Sequence, residues 1–264
     1  MDLILGGARA HAGTGGRDLD PTLPAAVFVH GAGMDRTVWQ FQARYFAHHG
    51  FSVLAVDLPG HGRSEGGAPS SVTGYASWLW EFLDAAGVRA FSLVGHSMGA
   101  LIALCMAAER PDRVTRLALL GVAARMPVHA ELLSAAERDD HMALDLLASW
   151  SHARPAHAGG HPTPGLWMMG RTAPRAQPAW SVARRLTACL TYGGAAGDAA
   201  AVRCPTLLLM GEDDRMTRPV AAVPISEAVP ECRIVILAGT GHMSMVEQPD
   251  ATIDELASFL DASR

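Results

Sequence analysis

Apolar residues along this chain gather into short runs that stop at turn residues, and stretches with helical spacing separate the runs. The runs are AAVFVHG (25–31), FSVLAVDLPG (51–60), FSLVG (91–95), VTRLALLG (114–121), PTLLLMG (205–211) and CRIVILAG (232–239). Their length, without polar alternation inside, predicts strands buried on both faces, as in a parallel sheet. Val38, Phe41 and Tyr45 lead to Gly50, and Tyr75, Trp78, Phe82 and Ala86 lead to Gly87. Recurrence at three or four residues before a glycine predicts helices with defined ends. Strand alternating with helix predicts an α/β fold, a mostly parallel sheet covered on both faces. The aromatic and methionine positions in these helices are core positions and carry no chemistry.

The rhythm breaks between residues 123 and 197. Strand-like runs vanish, and two amphipathic patterns replace them: one from Leu132 through Trp150, the other through Trp180, Ala183, Leu186 and Leu190, with RPAHAGGHPTPG between. The expected organisation is a core of residues 1–122 and 198–264 with a helical lid inserted at 123–197. A lid at the carboxyl ends of parallel strands lies where open α/β sheets bind ligands.

Composition narrows the function class. At 264 residues the chain can bury a large core, and one domain with an insertion is the default. The net charge of −5, spread without long blocks of one sign, gives no footprint for nucleic acid or an anionic membrane. A small soluble molecule is the expected partner; oligomeric state is not set by these features. The apolar stretch in MDLILGGARAHAG is too short for a signal peptide, and no run approaches the roughly 18 residues that span a bilayer, so a cytoplasmic location is expected. Cys105, Cys189, Cys204 and Cys232 lack CxxC spacing and read as free thiols. His152, His157 and His161 lie close in sequence, but Gly159 and Gly160 break any helical face and HExxH is missing, so no metal site is expected.

The chemistry is concentrated at LVGHSMGA (93–100). A strand ends there and a helix begins, with Gly95 and Gly99 leaving room around Ser97. A turn that sharp holds the hydroxyl clear of the backbone, and the Met98 N–H at the helix start can stabilise developing negative charge. A serine hydroxyl needs a base, and the base needs a carboxylate to fix its tautomer. EDDRMT follows the run ending at Gly211, and TGHMSMVEQPD follows the run ending at Gly239. They supply Asp213 or Asp214, and His242.

FVHGAG, DLPGHGRS, GHSMG, GEDD and GTGHMSMVEQPD, in this order and spacing over nearly the whole chain, resemble the α/β-hydrolase superfamily, in its single-domain form with a helical cap. The resemblance implies an α/β-hydrolase fold and a catalytic triad of Ser97, Asp214 and His242, the acid being the third residue after Gly211, with Asp213 as fallback. It also implies a second oxyanion donor at the Ala32 or Gly33 N–H beside that of Met98, and structural roles for Asp57, His61 and Arg63. His30 reads either as packing beneath the turn or as a pocket residue. Ser97 separates the chain from the dehalogenases and epoxide hydrolases of this fold, which carry Asp there. HGAGMDRT lacks the Gly-Pro-Gly of meta-cleavage-product hydrolases and the HGGG of lipases. The implied function is a serine hydrolase of small or medium carboxylic esters or lactones, without metal or organic cofactor. An acyltransferase or perhydrolase, a carbon–carbon bond hydrolase and a ligand receptor retaining the triad are the alternatives. Trp39, Trp150, Trp167, Met168 and Met169 are the expected pocket residues.

Overall fold

The computed structural model describes residues 1–138, 140, 142–153 and 180–261. The chain opens with β1 (Asp2–Leu5) and β2 (Ala8–Gly13), then β3 (Ala25–Val29), a 3-10 turn (Arg36–Trp39), α1 (Gln40–His48), β4 (Ser52–Asp57), α2 (Val72–Ala85) and β5 (Phe91–His96). It continues through α3 (Met98–Glu109), β6 (Val114–Leu120), α4 (Ala130–Glu137), α5 (Met142–Ser151), α6 (Trp180–Thr191) and α7 (Ala195–Ala201). The last elements are β7 (Thr206–Gly211), a 3-10 turn (Pro219–Ala222), α8 (Val223–Ala228), β8 (Cys232–Leu237), α9 (Ser244–Glu247) and α10 (Pro249–Leu260).

The strands form one sheet in the order β1-β2-β4-β3-β5-β6-β7-β8. All pairs from β4 to β8 are parallel, as the buried runs require, while β1–β2 and β2–β4 are antiparallel. The hairpin β1–β2 is absent from the sequence prediction, which sought continuous apolar runs. Its signature is the Gly6–Gly7 pair, both at positive φ (55° and 84°), as a two-residue hairpin turn demands. A second departure is β8, read as buried on both faces: it is a sheet edge, with Ile236 53% exposed.

Strand order reverses at β3, which has β4 on one side and β5 on the other. The carboxyl ends around that point form the crevice where open α/β sheets place ligands. One apolar layer packs α2 and α3 on the sheet through Tyr75, Leu79, Phe82, Leu101 and Leu104. The other packs α1 and α10 through Trp39, Phe46, Leu256 and Leu260. In α2, Ser71 caps the first turn by accepting from Gly74 N at 3.1 Å. By contrast α3 (MGALIALCMAAE) is apolar on every side, the composition of a helix surrounded by protein.

Among the described residues four helices stand between β6 and β7. Leu132 of α4, Leu147 of α5 and Leu186 of α6 join the apolar layer that holds Trp39 and Phe46. The seventh helix, α7, straddles the expected boundary at 197/198 and packs against α3, with Ala195 and Ala199 in the opposite layer. Among the described residues no helix is long and apolar enough to cross a membrane.

Candidate active site

Ser97 stands between β5 and α3 with φ 54° and ψ −117°, the only non-glycine residue at positive φ among the described residues. Such a conformation costs about 1–3 kcal/mol, so the surroundings must enforce it. They do so by close approach. A Cβ at Gly95 would collide with the Gly99 carbonyl, and one at Gly99 with the carbonyls of Val29 and His30. Ser97 N donates to Leu120 O at 2.9 Å, and Ser97 O accepts from Ala100 N and Leu101 N. Strand β5, helix α3 and the end of β3 therefore touch backbone to backbone, and the serine is the residue pushed out of line.

The Met98 N–H belongs to the first turn of α3, whose donors the helix itself leaves free. Ala32 lines the same cavity as Ser97. Gly33, at φ 72°, is buried and outside that lining.

The structure brings Asp214 to His242 and leaves Asp213 in solvent. Asp214 Oδ1 accepts from Met216 N and Thr217 N, both at 2.8 Å. Its Oδ2 accepts from Thr217 Oγ1 at 2.8 Å and lies 2.7 Å from His242 Nδ1. Burial pushes the Asp214 carboxyl up, but the His242 charge, the His242 hydrogen bond and the Thr217 donors outweigh it, so its pKa falls below the ordinary aspartate value. An ionised carboxylate only accepts, so Nδ1 carries a proton, and in the neutral ring Nε2 is the nitrogen with the free lone pair. That Nε2 is buried with no hydrogen-bond partner among the described residues.

Ser97 and His242 both line a cavity of about 460 Å³. Met34, Leu132, Leu147, Trp150 and Met216 make its wall apolar, and among the described residues Arg215 is the one lining side chain with a formal charge. Cys189 also lines it, but burial raises this thiol to about 12, so it stays protonated and offers no rival nucleophile.

Two neighbours of the base carried no signal in the sequence reading. His96 donates from Nε2 to the His242 carbonyl at 3.0 Å, with the rings 4.6 Å apart. Burial, then the nearby His242 charge, holds the His96 pKa well below its usual value, so the ring is neutral. Gly121, at φ 57° beyond β6, faces the imidazole: a Cβ there would lie 2.9 Å from His242 Nδ1.

Of the expected pocket residues that the structure describes, only Trp150 lines the cavity. Trp39, expected in the pocket, is instead fully buried in the core against Phe28 (centroids 5.3 Å apart), outside the cavity lining. His30 is likewise outside the lining. Its Nδ1 donates to Gly31 O at 2.8 Å and its Nε2 accepts from Leu58 N at 3.1 Å, tying the loop after β3 to the loop after β4. Asp57 accepts from Arg36 N, Arg36 Nη1 and Arg63 N, a structural knot at the same edge. Trp167, Met168 and Met169 lie outside the described residues, as do His157 and His161. Arg185 of α6, unmarked in sequence, is buried and donates from Nη2 to Gly60 O at 2.6 Å, joining the inserted segment to that loop.

The chain belongs to the alpha/beta hydrolase family, whose model matches residues 26–255. It is 25% identical over 245 residues to the (E)-2-((N-methylformamido)methylene)succinate hydrolase of Acinetobacter baylyi, covering 90% of each chain. It is 30% identical over 262 residues to RutD of Klebsiella pneumoniae, described as a candidate carbamate hydrolase, covering 92% of this chain and 95% of that one. Among solved structures it superposes on the enol-lactonase of Burkholderia xenovorans with a TM-score of 0.85 at 21% identity, over 98% of this chain and 99% of that one. That likeness is one of fold.

Proposed function

We propose that the chain is a serine hydrolase that opens a small or medium carboxylic ester or lactone through an acyl-enzyme on Ser97. Ser97 attacks the carbonyl carbon as His242 Nε2 takes the hydroxyl proton. The tetrahedral oxyanion sits against the N–H groups of Met98 and Ala32, each a donor of the kind that contributes about 3–4 kcal/mol to transition-state stability. His242, now a cation held by Asp214, returns the proton to the leaving alkoxide. Water then repeats the two steps, regenerating free Ser97 and releasing the acid. The route calls on no metal or organic cofactor. The helices between β6 and β7 serve as a cap that supplies the apolar wall for the acyl group.

The observation that carries this reading is the 2.7 Å Asp214–His242 contact, aimed into the same cavity as a serine on a strained turn. A second reading is hydrolysis of a carbonyl–nitrogen bond, favoured by relatives whose names specify a carbamate and an N-methylformamido compound. The same groups serve, but an amine is a far poorer leaving group than an alkoxide, so proton return from His242 becomes decisive.

The test is one panel on purified protein: p-nitrophenyl esters of graded acyl length, lactones, and matched amides and carbamates, with and without added alcohol, thiol or peroxide. Highest kcat/KM on an ester or lactone is expected. A preference for amides or carbamates moves the function to the second reading, and turnover that rises with an added acceptor makes the chain an acyltransferase.

A further inference from the structure

Glu247 ends α9 and turns its carboxylate back onto the loop that carries His242. Oε2 accepts from Gly241 N at 3.1 Å and from Ala153 N at 2.9 Å, and Oε1 accepts from Met243 N at 3.1 Å. Two of those donors flank His242 in sequence; the third lies just past the end of α5. Hydrogen bonds to a charged acceptor are about twice as strong as neutral ones, so the carboxylate is a firm clamp.

The same junction is fastened elsewhere. His242 N and Met243 N both donate to Ser151 O, at 2.8 and 3.1 Å. The two backbones meet so closely that a Cβ at Gly241 would lie 2.7 Å from the His152 carbonyl carbon and 2.8 Å from Glu247 Oε1. Helix α5 also carries Leu147, Trp150 and Ser151 in the cavity wall. A continuous hydrogen-bonded path therefore runs from the wall that would hold the acyl group to the backbone of the base.

We infer that Glu247 is a positioning residue that locks the His242 loop to the end of α5, so that the base is seated only when the cavity wall is seated. This rests on His242 being the base, as proposed above. Both carboxylate oxygens act as acceptors, which explains why Glu fits and near relatives do not. Gln keeps the shape but turns one acceptor into an NH₂ that faces an N–H donor. Asp keeps the charge but is one methylene short of spanning both sides.

Glu247→Gln tests it. Kcat should fall about tenfold to a hundredfold, the scale of a catalytic group displaced by about an ångström. KM should stay within about threefold, because the cavity survives while the base drifts. The proton in the 2.7 Å His242–Asp214 bond should give a far-downfield ¹H signal in the wild type that broadens or moves upfield in the variant. Glu247→Asp should fall between the two, and it carries the test by the same readouts if the Gln variant does not fold. A variant that melts with the wild type and keeps its kcat, KM and downfield signal overturns the inference. So does one whose activity falls only in proportion to its folded fraction with the signal unchanged. Failure of the underlying reading looks different: His242→Gln would then let a fluorophosphonate label Ser97 as fast as the wild type does.

Discussion

The strand-end loops and the inserted helices build two halves of one cavity by different physics. At the strand ends directed hydrogen bonds hold the acid and the backbones of the other two residues: Asp214 by four contacts, the His242 backbone by Ser151 and His96, and the Ser97 backbone by the Leu120 carbonyl. Across the cavity, the side chains of Leu132, Leu147 and Trp150 present apolar surface held by packing, while the backbone at the end of α5 is tied to the His242 loop through Ser151 O and Ala153 N. Directed bonds tolerate little displacement, whereas an apolar wall can change shape and still hold a ligand. On the proposed function, chemistry belongs to the first half and selectivity to the second.

The sharpest break in that comparison is at the acid. Asp214→Asn would hold the imidazole in the wrong tautomer, an effect of up to about 10⁴ in kcat where it has been measured in serine proteases. We expect a loss of at least about a hundredfold, a floor set well under that figure. Asp213→Asn, at an exposed position, should stay within about threefold, since surface changes of this kind alter little. Steady-state kinetics on both variants, with matching melting curves, checks the pair. The reverse order would move the acid to Asp213.

A smaller effect should appear in the wall. Trp150→Ala enlarges the cavity beside His129, whose ring meets the indole edge-on at 5.2 Å. The preferred acyl length should shift upward, with kcat/KM on the original best ester falling roughly tenfold, as for one or two methylenes of lost apolar contact. Kcat on short esters should hardly move. A uniform fall in kcat across the ester series would give the wall a catalytic share and blur the comparison.

The last effect is one of pH, and it is read in stability rather than in turnover. Burial holds the pKa of His30 below the imidazole norm, and those of His61 and His96 well below it. Their folded pKa values are depressed, so the unfolded chain binds more protons below about pH 6.5. Stability is therefore fully present above that pH and is lost as pH falls toward the folded values, by about 1.4 kcal/mol per pH unit for each histidine that stays neutral. Denaturant titrations from pH 8 to 5 should show this slope, and His61→Gln should reduce it by about one proton. A flat profile would contradict the burial of these rings as neutral groups.

The sequence is most informative where an apolar run ends. Ser97, Asp214 and His242 each follow such a run within a few residues of a glycine, so the sheet alone brings them to one edge. Residues whose partners are backbone groups were silent. Glu247 and Arg185 bind N–H and C=O groups distant in the chain, and a main-chain donor leaves no mark in the amino-acid pattern. Trp39 misled for a related reason. It is near the oxyanion loop in sequence, but its ring packs into the core against Phe28. The hairpin β1–β2 escaped because β1 alternates in burial and β2 (ARAHAG) mixes alanine with charged and polar residues in place of a large apolar run, and β8 because an edge strand can be as apolar as a central one.

The central claim is that Ser97 is the nucleophile and His242 its base, and active-site labelling tests it most directly. A fluorophosphonate should attach to one serine, and peptide mapping of the labelled protein should find it at Ser97. Ser97→Ala should abolish the label, and His242→Gln should slow it at least about a hundredfold, a floor well under the effect of losing a catalytic histidine in serine proteases. Label at another residue, or label that persists in folded Ser97→Ala, would contradict the account.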